Sequence, residues 1–308
     1  MKVFRNFEDL NISDNNVVTT GTFDGVHLGH QHVIESLISS AKKMKGESTI
    51  LTFYPHPRIV LQQNSDLKLL NELQEKVELL SKTGVDNLVI IPFTKEFSRL
   101  TSLSFVREVL VNKLATKRLI IGYDHHFGRN REGSFKHLME YGPLYGFEVE
   151  EIPVQDVEDV NISSTKIRKA LVDGKVKEAE KLLGYKYFLS GKVVKGKRIG
   201  SKIGFPTANI KVDKSYKLIP LKGVYVVKAE VGGVQYQGML NIGVRPTFTN
   251  ENEVSIEVNL FDFSKDIYDE RIKVIFVDRI REEKPFESSS DLIAQLEKDK
   301  VNCIKVLG

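Results

Sequence analysis

Apolar and polar positions alternate along the first half of the chain in two distinct rhythms. Short runs rich in β-branched and aromatic residues, Val17 to Thr19, Ser48 to Tyr54, Asn87 to Pro92, Arg118 to Ile121 and Phe147 to Val154, predict strands. Between them, apolar residues recur at helical spacing. Val33, Ile34, Leu37, Ile38 and Ala41 mark a helix within Gln31 to Lys43, and Leu73, Val77 and Leu80 mark another. Asn71 is the predicted N-cap of the second, with Gln74 three residues on. Leu103 to Leu114 and Phe135 to Tyr141 complete the helical set. Strands alternating with helices predict an α/β domain, a parallel sheet with helices on both faces. Ligands in such sheets sit beyond the carboxyl ends of the strands.

The rhythm changes after Gly184. Val176, Ala179, Leu182 and Leu183 form one last amphipathic helix, which that glycine stops. From there Tyr187 to Lys195, Tyr225 to Val231, Val234 to Asn241, Val254 to Leu260 and Ile272 to Val277 predict strands joined by tight turns. Gly232-Gly233 marks one hairpin. Only the tail, Ser290 to Val301, returns to helical spacing. The expectation is a parallel-sheet domain over 1–184 and a compact antiparallel β-barrel with a C-terminal helix over 185–308.

Composition narrows the setting. With 308 residues, 41% hydrophobic and 28% charged, the chain suits two soluble globular domains. Met1 to Asp14 lacks an apolar core of signal-peptide length, and no run reaches membrane-spanning length. Cys303 stands alone, so no internal disulfide forms and a cytoplasmic setting is expected. A net charge of +4 is too weak to imply a nucleic-acid partner. The histidines are more telling: all seven lie at or before position 137. The two halves are expected to do different chemistry.

Chemistry concentrates where strands end. Thr20-Gly21-Thr22-Phe23-Asp24-Gly25-Val26-His27-Leu28-Gly29-His30 joins the first predicted strand to the first predicted helix. Glycines let backbone approach a phosphate, and a helix N-terminus offers free N–H groups and the positive end of a dipole. His27 and His30, one turn apart, can donate to the same oxyanion. This suits a nucleoside triphosphate attacked at its α-phosphate. No Gly-Lys-Ser/Thr follows, so the loop is not a Walker A motif, and one cysteine disfavours a thiolate zinc site. Tyr54-Pro55-His56-Pro57 reads as a rigid corner, or as a pocket wall beside the first motif. Gly122 to Gly128, with adjacent histidines, reads as a surface loop or as part of the same site. Ser163-Ser164-Thr165-Lys166-Ile167-Arg168 opens a helix, either simply capped or a lid over the β- and γ-phosphates.

In the second half, Lys195, Lys197, Arg198 and Lys202 lie within eight positions and lead into Gly204-Phe205-Pro206-Thr207-Ala208-Asn209. The basic loop alone is equally a solvated face. Thr207 and Asn209 just beyond a rigid proline present oxygen ligands, which suits Mg²⁺ with a phosphate. Ile256, Val258 and Leu260 share one strand face, and Glu257 and Asn259 the other. If the polar face looks into a site, Glu257 is the carboxylate placed to act as general base.

The string from Gly21 to His30 resembles the signature of the nucleotidyltransferase superfamily as carried by bacterial FAD synthetases. The second half resembles riboflavin kinase. Together with Phe53 to Pro57, Gly122 to Gly128, Ser163 to Arg168, Gly204 to Asn209, Asn241 to Phe248 and Glu257 to Phe263, the whole chain resembles the bifunctional riboflavin kinase/FMN adenylyltransferase family. The resemblance implies a Rossmann-like nucleotidyltransferase domain followed by a kinase barrel. It implies ATP handling in adenylyl transfer by Gly21, Thr22, Phe23, His27 and His30, with Ser164, Thr165 and Arg168 opposite, and FMN binding by Pro57, Asp124 and Phe127. For the kinase it implies Gly204, Pro206, Thr207 and Asn209 on ATP and Mg²⁺, Glu257 as base, and Arg281 on the flavin. Riboflavin, FMN, FAD and ATP are the implied small-molecule partners, with neither nucleic acid nor membrane, in a monomer or weak homo-oligomer. Three positions depart from the family pattern: His125 replaces a common aromatic, Asn259 a histidine and Asp269 a glycine. An adenylyl- or cytidylyltransferase for another phosphorylated substrate, and a flavin-responsive or RNA-binding regulator, remain as other readings.

Overall fold

The computed structural model describes residues 1–62, 66–123, 125–153, 156–157, 160–196, 199–245 and 253–308; of 156, 157, 160, 161, 199, 245 and 253 only the backbone is described. The chain divides into two compact units, Met1–Ser164 and Thr165–Gly308.

In the first unit the described elements run β1 (Lys2–Phe4), β2 (Asn16–Thr20), α1 (Leu28–Lys43), β3 (Glu47–Tyr54), α2 (Pro57–Leu61), α3 (Leu73–Ser81), β4 (Asn87–Pro92), α4 (Ser102–Ser104), β5 (Thr116–Gly122), α5 (Phe135–Tyr145) and β6 (Glu148–Ile152), with the small pair β7 (Asp156–Val157) and β8 (Val160–Asn161) after them. The sheet has the order β1-β4-β3-β2-β5-β6, and every pairing in it is parallel. Successive residues of one strand feed opposite cores. Val17, Ile50, Leu88 and Ile120 pack under α1 and α3, through Ile34, Leu37, Ala41 and Leu80. Their neighbours Val18, Leu51, Val89 and Leu119 pack under Phe105, Val109, Leu110 and Leu138 on the other face. Burial on both faces explains why these strands read as continuous apolar runs. From β2 the chain proceeds first to β3 and β4, then returns to β5 on β2's other side. A reversal of this kind opens a crevice at the strands' carboxyl ends.

Several sequence expectations change in detail. The N-cap of α3 is Glu72 rather than Asn71, because the Asn71 amide is taken by the Asp24 carboxylate while Glu75 accepts from the Glu72 N–H at 2.9 Å. The segment predicted as a helix over Leu103–Leu114 begins as α4 but continues as a π-helix over Phe105–Val111. The helix predicted to end at Tyr141 runs to Tyr145 with Pro143 inside it. That proline forfeits one hydrogen bond in the last turn, before Gly146 caps the helix in the left-handed region at φ 74°.

The second unit holds α6 (Ser164–Val172, whose first residue closes the first unit), α7 (Val176–Leu183), β9 (Phe188–Val194), α8 (Ile199–Lys202), β10 (Ala208–Val212), β11 (Gly223–Val231), β12 (Val234–Arg245), β13 (Glu253–Leu260), β14 (Arg271–Arg281) and α9 (Ser289–Leu307). Its strands close a barrel in the order β10-β13-β12-β11-β14-β9, all antiparallel. Tyr225, Leu240 and Val258 face one another in register and are buried inside. Val226 and Met239 face outward under α9, against Cys303, Leu296 and Leu307. Asp269 sits at φ 68°, the left-handed conformation that glycine adopts most readily.

Gly46 shows how tightly the α1-to-β3 turn is drawn in. A Cβ there would lie 1.7 Å from the Asn15 carbonyl oxygen, so that strand entry must move if one is added. Gly46→Ala is expected to destabilise the first unit by about 1–3 kcal/mol. Urea unfolding read by a probe in the first unit would show this as a lower midpoint, and an unchanged midpoint would contradict it.

Candidate active sites

The loop after β2 is built by a few specific bonds. Gly21 donates its N–H to the Leu51 carbonyl at 3.1 Å, closing the sheet register before the chain leaves it. Phe23 (φ 48°), Gly25 (φ 90°) and Val26 (φ 39°) then take left-handed backbone, a conformation that costs energy at the two non-glycine positions. Opposing anchors hold it. The buried Asp24 carboxylate accepts from the amides of Leu70 (3.0 Å) and Asn71 (3.3 Å). Lys76 donates to the Thr22 carbonyl at 2.6 Å, Gln31 to that of Val26 at 2.8 Å, and the Ser164 hydroxyl to that of Asp24 at 2.9 Å.

His27 caps α1, its Nδ1 accepting the His30 N–H at 3.3 Å. With Nδ1 engaged as acceptor, the neutral ring carries its proton on Nε2. The two imidazoles stack with centroids 3.6 Å apart and planes 16° from parallel, and Phe23 leans on His30 at 5.1 Å. Burial, then His27, then Lys76 push the His30 pKa well below the usual histidine value. His30 is therefore neutral at physiological pH, and its buried Nδ1 has no hydrogen-bond partner among the described residues. No acidic residue occupies the first turn of α1, so its N-terminal dipole end is left open to an anion.

Two further loops leave the same end of the sheet. After β3, His56 caps α2 by accepting the Arg58 N–H at 3.2 Å, and Pro57 is the first residue of that helix. Beyond β5, the His125 N–H donates to the Gly122 carbonyl at 3.1 Å and its ring lies nearly parallel to Phe127 at 5.9 Å. Phe127 itself is buried against Phe105, so its role includes core packing. Nε2 of His125 is buried without a hydrogen-bond partner, and burial, with His126 and Arg131 adding to it, lowers the pKa to about 4. Asp124 lies outside the described residues. Thr165 and Arg168 stand on α6 in the second unit.

In the second unit, strand pairing assembles what the sequence separates. Asn209 on β10 pairs with Glu257 on β13, and Glu257 pairs with Asn241 on β12, so the three share one face. The Thr207 hydroxyl donates to the Glu257 carboxylate at 3.2 Å, and Asn259 donates to the Pro206 carbonyl at 2.7 Å. Gly196 lies under Asn209, where a Cβ would stand 2.2 Å from its amide nitrogen. Gly204 takes φ 83° ahead of Pro206. Lys197, Arg198 and Pro246 to Phe248 lie outside the described residues. Arg281 makes a two-pronged ion pair with the buried Asp299, at 2.9 and 2.7 Å, which Gln295 braces. A separate cleft of about 460 Å³ is lined by Lys175, Lys177, Asp278, Arg279 and Arg281, among others; of the expected site residues it includes only Arg281.

Among the described residues no cluster of three histidine, cysteine or acidic side chains could hold a metal ion. The Thr207 hydroxyl and the Asn209 amide nevertheless offer a hard oxygen pair. It fits Mg²⁺, which keeps waters and shares substrate phosphates rather than filling an all-protein cage. Sequence reasoning missed Lys76, Asp24's anchoring role and Asp299. For Lys76 a signal existed, since it falls on the apolar phase of α3 beside Leu73, Val77 and Leu80.

Comparison with known proteins assigns a family to each half of the chain. Residues 9–166 match the family model described as FAD synthetase, and 183–307 the one described as riboflavin kinase. The chain is 41% identical to a bifunctional riboflavin kinase/FMN adenylyltransferase of Listeria monocytogenes, over 93% of this chain and 90% of that one. It is 38% identical to the Bacillus subtilis protein of that name (94% and 92%) and 35% identical to that of Escherichia coli K12 (100% and 98%). A solved structure from Streptococcus pneumoniae, described as a macrolide-efflux protein, is 34% identical with a TM-score of 0.88 over 97% of each chain. Among the described residues here, no helix is long and apolar enough to cross a membrane.

The His125 shift has a consequence for acid stability. Its folded pKa of about 4 lies below the ordinary 6.5, so the unfolded chain takes up a proton first as the pH falls. Stability is thus lost on acidification from pH 6.5 towards 4. His125→Phe should flatten part of that loss, as a Tm of the first unit that falls less than the wild type's over the window. Parallel pH profiles of the two proteins would contradict it.

Proposed function

The chain belongs to the bifunctional riboflavin kinase/FMN adenylyltransferase family, and from that membership we propose how its residues divide the two reactions. The enzyme phosphorylates riboflavin to FMN and adenylylates FMN to FAD with release of pyrophosphate. In our reading residues 1–184 carry adenylyl transfer and 185–308 the kinase. The matches over 9–166 and 183–307 support that division.

For adenylyl transfer, the observation that carries the assignment is the stacked His27–His30 pair at the open N-terminus of α1. An FMN phosphate oxygen attacks the α-phosphorus of ATP; the new P–O bond forms as the bond to pyrophosphate breaks. The attacking phosphate is already an anion, so no strong base is needed. What the reaction needs is position and charge stabilisation. Neutral imidazole N–H groups and the helix dipole supply donors where oxyanion charge builds. Gly21, Thr22 and Phe23 shape the loop, Ser164, Thr165 and Arg168 also serve ATP, and Pro57, Asp124 and Phe127 serve FMN.

The kinase must deprotonate a neutral ribityl hydroxyl, and Glu257 is the acceptor of that proton. The hydroxyl oxygen bonds to the γ-phosphorus as its bond to ADP breaks. In the free protein the Thr207 hydroxyl occupies the carboxylate, so the substrate hydroxyl takes over an existing hydrogen-bond position. Gly204, Pro206, Thr207 and Asn209 hold the nucleotide, and Thr207 and Asn209 would hold Mg²⁺, which neutralises phosphate charge when bound. Arg281, fixed by Asp299 and by the Glu282 carbonyl, serves the flavin. The setting is cytoplasmic, and the protein acts as a monomer or weak homo-oligomer with no nucleic-acid or membrane partner.

Chromatography of riboflavin, FMN and FAD after adding Mg-ATP tests this division. Glu257→Gln should slow FMN synthesis by on the order of 10²–10⁴-fold and leave FAD synthesis from supplied FMN intact. His30→Ala should do the reverse, removing FAD formation and sparing FMN. Equal loss of both activities in either folded variant would refute the assignment.

A further inference from the structure

Lys76 is a charge in a place that the fold alone gives no reason to charge. It lies on the apolar phase of α3, with Leu73, Val77 and Leu80, and is only 6% exposed. Lysine is rarely so buried unless a carboxylate pairs with it. Here its one hydrogen bond is to a main-chain carbonyl, Thr22 O at 2.6 Å, and among the described residues it forms no ion pair. A methionine would fill the position without the desolvation cost. That cost is visible in the ammonium's pKa, which burial lowers to about 8 against the opposing pull of Asp24.

The bonded carbonyl is not an arbitrary one. Thr22 precedes Phe23, the first of the two non-glycine residues that the loop holds at positive φ. Asp24 ties the same loop to the chain just before α3, through Leu70 and Asn71. The start of α3 thus grips the loop twice, once through a carboxylate on the loop and once through an ammonium on the helix. Two of the three ammonium N–H bonds are left over. The charge also acts on His30, one of the groups that lower its pKa.

We propose that Lys76 is a positioning residue for ATP in adenylyl transfer, fixing the Thr22–Phe23 segment through the Thr22 carbonyl and setting a desolvated positive charge behind the loop that receives the polyphosphate. This rests on the reading of that loop as the ATP site. A buried cation with no directly bonded carboxylate has N–H groups to offer an anionic ligand, and its field is little screened there.

Steady-state FAD formation from FMN at varied Mg-ATP, in the full-length chain, tests it with Lys76→Met and Lys76→Gln. Gln retains a donor for the Thr22 carbonyl but not the charge. In Lys76→Met, KM for ATP should rise on the order of tenfold, with kcat changed less. Lys76→Gln should fall between it and wild type. FMN formation from riboflavin by the same polypeptides should be unchanged. A merely structural lysine would leave KM of the folded enzyme alone, whatever the change in Tm. Wild-type KM for ATP in both variants would overturn the proposal by itself. A wild-type chain that makes no FAD from FMN would overturn the reading of the site, and the proposal with it. Should Lys76→Met fail to fold, KM of Lys76→Gln decides alone: a raised value supports the proposal and a wild-type value overturns it.

Discussion

The first unit depends on a backbone held where it would not go unaided. Phe23 and Val26 sit at positive φ, and each costs on the order of 1–3 kcal/mol unless its surroundings compel it. Asp24, Gln31, Lys76 and Ser164 all reach the loop's main chain or carry its bonds. With the loop fixed, His27 falls at the N-cap of α1 and His30 one turn on, so their rings stack at one helix mouth. In our reading these rings are the donors for adenylyl transfer, in place before ATP arrives, so that little reorganisation remains for the reaction step.

The barrel solves a different problem by register. Because facing residues in antiparallel strands share a side, one alignment of β10, β13 and β12 brings Asn209, Glu257 and Asn241 together. A slip of one residue would send Glu257 into the barrel interior, where Val258 now packs. The alternation that buries Ile256, Val258 and Leu260 is therefore also what holds the carboxylate at the surface beside Thr207.

Much of this was legible in the chain. Central strands showed as apolar runs because both their faces are buried, and barrel strands showed through their tight turns. The three-residue edge strand β1 is too short to leave a pattern, and β10 is hidden at the end of a glycine-rich motif. The π-helical stretch over Phe105–Val111 could not be told from an α-helix by spacing, since its apolar residues suit either. The His27–His30 pair was visible as a string, whereas the Thr207–Glu257 contact depends on pairing across 50 residues. Lys76 was readable only as an anomaly, a charge on an apolar helix face, whose partner the sequence does not name.

In our reading two reactions run at two sites, with FMN as the product of one and the substrate of the other. Mixing the two single-site variants is the sharpest test of that scheme. Alone, His30→Ala should stop at FMN and Glu257→Gln should convert riboflavin very slowly. Together, supplied with riboflavin and Mg-ATP, they should restore FAD formation, FMN made by one protein being used by the other. A mixture that accumulates FMN and makes no FAD, though Glu257→Gln still adenylylates added FMN, would be incompatible with two separate sites sharing FMN.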